Sequence, residues 1–471
     1  MNPTFWPSRR DVLRHTALGF GALALNDLLA AQALARTSGL SGAPKPHSAP
    51  KAKRVIFLFM KGGPSHIDTF EPKPVLDRDD GKPYPGTRPR VVFAKTGNLL
   101  KSPWKFNKHG ECGSPVSELF PHVAGCVDDI CFVHSLHGTN PAHGGAVLKL
   151  HTGSDNFVRP SMGAWTAYGL GTENQNLPAF VTVCPTLAHG GVNNWGSAFL
   201  PASCQGVPIG NASTPVEQAK VKYIENSNLT RDAQKKQLDL LGDLNRAHLD
   251  RSGPDAALEG RIESFELAFR MQQAMPEAES IAKETDATRK LYGLDDPVTA
   301  PFGRQCLLAR RFAERGVRFV QVTHSDDKVQ WDQHGDLRKG HAKNAREVDK
   351  PIAGLLKDLK ARGLLKDTLV LWGGEFGRTP TVEGGGNDGR DHNPEGFTVW
   401  MAGGGVKPGF RYGATDDYGW HAVENKVHVH DLHATILALL GLDHEKLTFR
   451  HAGRDFRLTD VSGTVMKDLF A

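Results

Sequence analysis

Six short runs of apolar and β-branched residues recur along the chain, each hydrophobic without interruption: RVIFLFM (54–60), DICFVHS (129–135), AFVTV (179–183), VRFVQVT (317–323), TLVLWGG (368–374) and FTVWMAGG (397–404). A strand with one wet face alternates apolar and polar residues, so continuous hydrophobicity predicts strands covered on both faces. Helical stretches separate the runs, and the two patterns together predict an α/β fold on a mostly parallel sheet. Between about 215 and 300 the sequence becomes charged and rich in Gln and Ala, with Pro254 and Gly260 as breaks. It reads as two or three helices inserted into the α/β core. Within 348–363, Ile352, Leu355, Leu356 and Leu359 share one helical face, and Pro351 is expected to start or kink that helix.

With 471 residues, 39% of them hydrophobic, the chain can bury a large core. A net charge of +5 spread over that length argues against a nucleic-acid partner. At the N-terminus SRRDVLR (8–14) joins two arginines to the apolar stretch TALGFGALAL and then to small residues at 31–35. This resembles a twin-arginine export signal over residues 1–35, followed by a flexible linker over 36–53 and a single domain over 54–471. The expectation is a periplasmic or secreted protein that uses the Tat export machinery. No segment reaches the ~20 apolar residues of a permanent membrane anchor, so no transmembrane span is expected. The six cysteines show no CxxC spacing, which disfavours a thiolate metal site. Cys126 and Cys131 are close enough in sequence to form a local disulfide, which spacing alone leaves open.

In a parallel sheet, ligands bind beyond the carboxyl ends of the strands, where loops converge and helix N-termini point inward. Four of the six runs end in clusters of carboxylate or imidazole. The first is followed by Ser65, His66 and Asp68, and the second by His134, His137 and His143. After the fourth come His324, Asp326, Asp327, Asp332 and His334; after the fifth, Glu375, Arg378, Asp391 and His392. Taken singly, His66, His134, His137 and His324 read as ordinary hydrogen-bonded histidines. Asp68, Asp332, His334, Glu375 and His392 together supply the mixed oxygen and nitrogen ligands that zinc or manganese call for.

The segments GGPSHIDTFEPKP, LVLWGGEFGRTP, GRDHNPEGFTVWMAGGGVKPG and HVHDLHATILALLGLDHEKL together resemble the DUF1501 family, itself similar to a sulfatase-like branch of the alkaline phosphatase superfamily. The resemblance implies a doubly wound, alkaline phosphatase-like sheet with two divalent metal ions: zinc, manganese or calcium. It places Asp68 at the first metal-binding aspartate and Asp332 and His334 at an Asp/His pair, although the spacing is shorter than the phosphatases usually have. Glu375 falls where an Asp-His dipeptide is expected, with Phe376 replacing the histidine, and His392 can restore an imidazole from the next loop. Asp431 and His433 would lie near the site or at a helix N-cap, with the cap favoured for Asp431.

In that superfamily a Ser, Thr or Cys nucleophile opens a helix nine residues before the Thr of a TG pair. Here NPAHGGAVLKLHTG ends in Thr152 and Gly153, and counting back gives His143. The helix dipole would lower the pKa of an imidazole there, leaving three roles open: metal ligand, phosphohistidine nucleophile, or general acid or base. Arg378 would either clamp an anionic oxygen or brace Glu375. The resemblance implies an exported metal-dependent hydrolase acting on small-molecule or polysaccharide phosphate or sulfate esters, with phosphoryl transfer sharing the same site. The competing expectation is a non-catalytic envelope protein on the same fold that grips a sulfated or phosphorylated polymer.

Overall fold

The computed structural model describes residues 46–87, 95–214, 216–221, 224–226, 228–253, 255–325, 330–384 and 388–471. The export signal, the first part of the linker, and Asp326 and Asp327 lie outside the described residues.

All six apolar runs form strands of one nine-stranded sheet. In chain order the elements used below are β1 (Arg54–Met60), β2 (Thr96–Leu99), β3 (Ile130–His137), β4 (Phe180–Val183), β5 (Val207–Ile209), β6 (Phe319–His324), β7 (Thr368–Gly373), β8 (Gly377–Glu383), β9 (Arg390–Asn393), β10 (Phe397–Ala402), β11 (Phe410–Tyr412) and β12 (Val427–His428). The main sheet runs β11-β3-β10-β7-β1-β6-β4-β5, with β12 also paired to β3. β1 lies between β6 and β7 and is parallel to both. β10 is the exception, antiparallel to β3 and to β7. Side chains alternate across β1: Ile56, Leu58 and Met60 enter one apolar core, while Val55, Phe57 and Phe59 enter a second on the other face. Both faces are therefore dry, which is why the runs lack a polar alternation. Cys126 belongs to the first core and Cys131 to the second, and all six cysteines are free thiols. The sheet itself separates the pair that a local disulfide would have joined.

The helices that matter here are α1 (His143–Thr152), α2 (Met162–Leu170), α3 (Arg231–Ser252), α4 (Ala256–Glu279), α5 (Ala300–Glu314), α6 (Leu337–Ala361) and α7 (Val429–Leu439). α3 and α4 occupy the charged stretch between β5 and α5. Pro351 sits inside α6 and does not begin it; the helix starts at Leu337. A second, three-stranded sheet, β9-β8-β2, follows directly on β7. Its β8 and β9 are antiparallel, with Arg378 opposite His392. No helix among the described residues is long and apolar enough to cross a membrane.

Candidate metal centre

The polar residues that follow β3, β6 and β7 meet at the carboxyl end of the sheet. Gly62 and Gly63, turning off β1, have φ of +105° and +74°, a region that favours glycine. At Gly63 a Cβ would stand 2.6 Å from the Phe376 ring. The turn lets the Gly62 N–H donate to both Glu375 oxygens at 2.9 and 3.1 Å. Glu375, its side chain fully buried, accepts in turn from His143 Nδ1 at 2.7 Å. His143 is the first residue of α1, which ends at Thr152 with Gly153 as its left-handed cap.

Asp332 is the hub. Its Oδ1 lies 2.9 Å from His334 Nε2 and 3.0 Å from His392 Nε2, while its Oδ2 lies 3.1 Å from His143 Nε2. The two nitrogens of His334 and His392 are themselves 3.0 Å apart. The other ring nitrogens fix the tautomers. His143 Nδ1 faces Glu375, His334 Nδ1 faces Glu383, and His392 Nδ1 lies 2.6 Å from the Pro141 carbonyl. Each of these partners only accepts, so each Nδ1 carries a hydrogen, and the Nε2 atoms are the ones turned toward Asp332. The buried Nε2 of His143 makes no hydrogen bond despite its closeness to the carboxylate. Imidazoles anchored through Nδ1 and converging through Nε2 on a carboxylate form the arrangement by which proteins orient histidines toward a metal. A tetrahedral ion with bonds of ~2.0–2.1 Å would hold its donors ~3.3 Å apart, close to the separations here. Asp332, His334 and His392 therefore fit a divalent ion, with His143 within ligand distance of Asp332 and His392, and Asp391 within ligand distance of His334 and His392.

Asp332 resists protonation: burial favours its neutral form, but Arg378, His143, His334 and His392 outweigh it and hold its pKa far below the carboxylate range. Burial also opposes ionisation of Glu375, yet His143 and the Gly62 amide bring its pKa below the usual value. For His143 the expected lowering by the helix dipole is overturned. Burial lowers its pKa, but hydrogen-bonding distance to Asp332 and Glu375 raises it above the usual histidine value. His334 is raised chiefly by Asp332, whereas His392 is lowered, chiefly by burial.

Arg378 does neither of the two things expected of it. Its guanidinium is fully buried and donates to the carbonyls of Gly63 (2.9 Å), Arg390 (3.1 Å) and Gly62, and to Asp332 Oδ1 at 2.5 Å. It braces Asp332 and the β1 turn. Asp68 stands apart from the histidine group. Its oxygens accept a two-pronged pair from Arg390 at 2.7 and 3.1 Å, with Ser65 Oγ adding a hydrogen bond at 2.5 Å. Both partners of the pair are fully buried.

The remaining histidines that follow strands are engaged elsewhere: His66 with the Gly419 carbonyl, His134 with Thr398 and Arg411, His324 with Trp331 and Glu347. His137 packs its ring against His428. Asp431 is the N3 member of a capping box with His428, and His433 reaches the Leu150 carbonyl near the end of α1.

Three residues at the site escape the strand-end reading. Glu383 anchors His334 from the far end of β8, signalled only by an acidic residue ahead of a glycine run. His189, six residues beyond β4, stacks on His143 with ring centroids 4.9 Å apart and planes 13° apart. Its φ of +52° is uncommon for a residue with a side chain. Lys61, directly after β1, is buried, and its charge helps burial and His143 to lower the pKa of His189.

The rim of a mostly parallel α/β sheet thus gathers three anchored imidazoles around one carboxylate. The chain belongs to the DUF1501 family, described as a protein of unknown function, whose model matches residues 52–470. No curated protein matches it. Among solved structures, Ps i-CgsB in complex with k-i-k-neocarrahexaose aligns at 11% identity over 83% of this chain and 72% of the other, with a TM-score of 0.37. PsFucS1 sulfatase from Pseudoalteromonas sp. aligns at 13% identity over 88% and 71%, with a TM-score of 0.34. Alkaline phosphatase from the Antarctic bacterium TAB5 aligns at 10% identity over 83% and 98%, also with a TM-score of 0.34. These likenesses are remote both in sequence and in superposition.

Proposed function

We propose that the protein is an exported, metal-dependent hydrolase of phosphate or sulfate esters. The observation that carries this reading is the convergence of three Nδ1-anchored imidazoles, His143, His334 and His392, on Asp332. A divalent ion held by Asp332, His334 and His392, with His143 beside it, would supply Lewis acidity toward an ester oxygen and make water a better nucleophile near neutral pH. Everything else is set by the chain. Glu375, Glu383 and the Pro141 carbonyl hold the rings in one tautomer and one orientation. Arg378 keeps Asp332 ionised. His143 donates Nδ1 to Glu375 and would turn Nε2 to the ion beside Asp332, so no nitrogen would remain to attack phosphorus or sulfur. The nucleophile is then water: its oxygen bonds to phosphorus or sulfur, the bond to the ester oxygen breaks, and the departing alcohol takes up a proton. One displacement inverts the configuration at the reacting centre. The His334 side chain, 35% exposed against 10% for His143, marks the side from which substrate enters. The twin-arginine pattern at residues 8–14 supports export.

The test is a panel of aryl phosphates, phosphodiesters and aryl sulfates with zinc, manganese or calcium, comparing wild type with His143→Ala and Asp332→Asn. Turnover that is lost in both variants, with inversion at a chiral phosphorus, is the expected result. Turnover indifferent to both substitutions would place the chemistry elsewhere. A second reading, polyanion binding without turnover, is favoured by Phe376, whose ring packs 4.8 Å from that of His143 and 4.4 Å from that of His392 and walls the site with apolar surface. Retained metal with no turnover on any ester would select it.

A further inference from the structure

We infer that the protein binds a single divalent ion, of the borderline class that imidazole favours, and that buried basic side chains take over the carboxylates a second ion would need. This inference rests on the metal-dependent reading and departs from the two ions that the family resemblance implied.

Two groups of donors come within ligand distance of one another, His143 with Asp332 and His392, and His334 with Asp391 and His392. Both pass through His392. Its Nδ1 is spent on the Pro141 carbonyl at 2.6 Å, leaving one nitrogen, and one lone pair serves one ion. The two groups are facets of one site.

Asp68 is the residue that a second ion would require, and Arg390 already holds it. The fork geometry engages both carboxylate oxygens, at 2.7 and 3.1 Å, and neither side chain is exposed. Opening the pair for a metal would leave a guanidinium buried without its counter-charge, a cost that weighs heavily in a dry interior. Glu375 is equally committed: its oxygens receive the Gly62 amide and His143 Nδ1, and its side chain is fully buried.

The experiment is elemental analysis of the full chain, purified after metal supplementation and dialysed free of loose ions, together with a cobalt(II) titration of chelator-stripped protein followed by visible absorption. One ion per chain is expected, with the absorption saturating at one equivalent. His392→Gln and His334→Gln should each lose bound metal at least tenfold, while Asp68→Asn should still hold one. His334 is part-exposed, so its variant keeps the test valid if His392→Gln fails to fold. Two ions in wild type would overturn the inference and leave metal-dependent hydrolysis standing. One ion retained in both histidine variants would overturn the location. No metal under any condition would sink the inference and the functional reading together.

Discussion

Asp68→Asn keeps the shape of a side chain that is 0% exposed but removes its charge, leaving the Arg390 guanidinium buried and unpaired. Removing one partner of a buried ion pair costs about 3–5 kcal/mol. The loss is global, because Asp68 lies in the one-turn helix after β1 while Arg390 opens β9, 322 residues later. For a folded unit spanning residues 52–470, an unfolding entropy of roughly 2.1 cal/mol/K per residue gives about 0.9 kcal/mol/K, so the melting temperature should fall by about 3–6 °C. Calorimetry or denaturant melts of wild type, Asp68→Asn, Arg390→Met and the double variant Asp68→Leu/Arg390→Met complete the design. The double variant should cost less than either single one, since no lone charge remains buried. A cost below about 1 kcal/mol for Asp68→Asn, or strict additivity in the double variant, would refute the claim that this pair closes the place of a second ion.

Glu383→Gln should weaken metal affinity by about 10–100-fold with little change in stability, because the carboxylate acts only by orienting His334. Competition with a chromophoric chelator reads this directly, and an unchanged affinity would contradict the anchoring role. Gly63→Ala should destabilise by more than about 1 kcal/mol, as φ of +74° is strained for alanine and its Cβ would meet Phe376. A neutral substitution in urea melts would show that the turn relaxes. Four buried histidines, His134, His151, His341 and His433, are pushed down to about 4, 4, 3 and 3, in each case chiefly by burial. The unfolded chain takes up these protons near pH 6.5 while the folded chain refuses them, so the stability they carry is complete above that pH and falls as the medium is acidified. The loss should reach about 2 kcal/mol per histidine at pH 5. Equal denaturant midpoints at pH 7.5 and pH 5 would rule it out.

The apolar runs expose the strands of the main sheet in the sequence because burial on both faces removes every reason for alternation. That same continuity hides strand direction: FTVWMA in β10 is as apolar as its neighbours yet runs against them. At the rim, the rule that ligands follow strands singles out His143, Asp332, His334, Glu375 and His392, and the fold brings them together. It also singles out Asp68, whose partner Arg390 lies too far along the chain for any local pattern to reveal. Lys61 escapes the pattern because a lysine directly after a strand ordinarily signals solvent, whereas this one is buried. His189 lies six residues past its strand, beyond the reach of a strand-end pattern, and Glu383 stands behind His334 at the end of β8, which is not one of the apolar runs.

The hairpin of β8 and β9 carries Arg378, Glu383, Arg390, Asp391 and His392 on two short strands, with Arg378 set opposite His392 and the register shifting before Val382 meets Arg390. Asp391 and His392 are consecutive on β9, and both offer a ligand atom beside His334. Sliding β9 by a single position would displace the carboxylate and the imidazole together. What gathers at this rim is thus written in strand alignment as much as in residue identity.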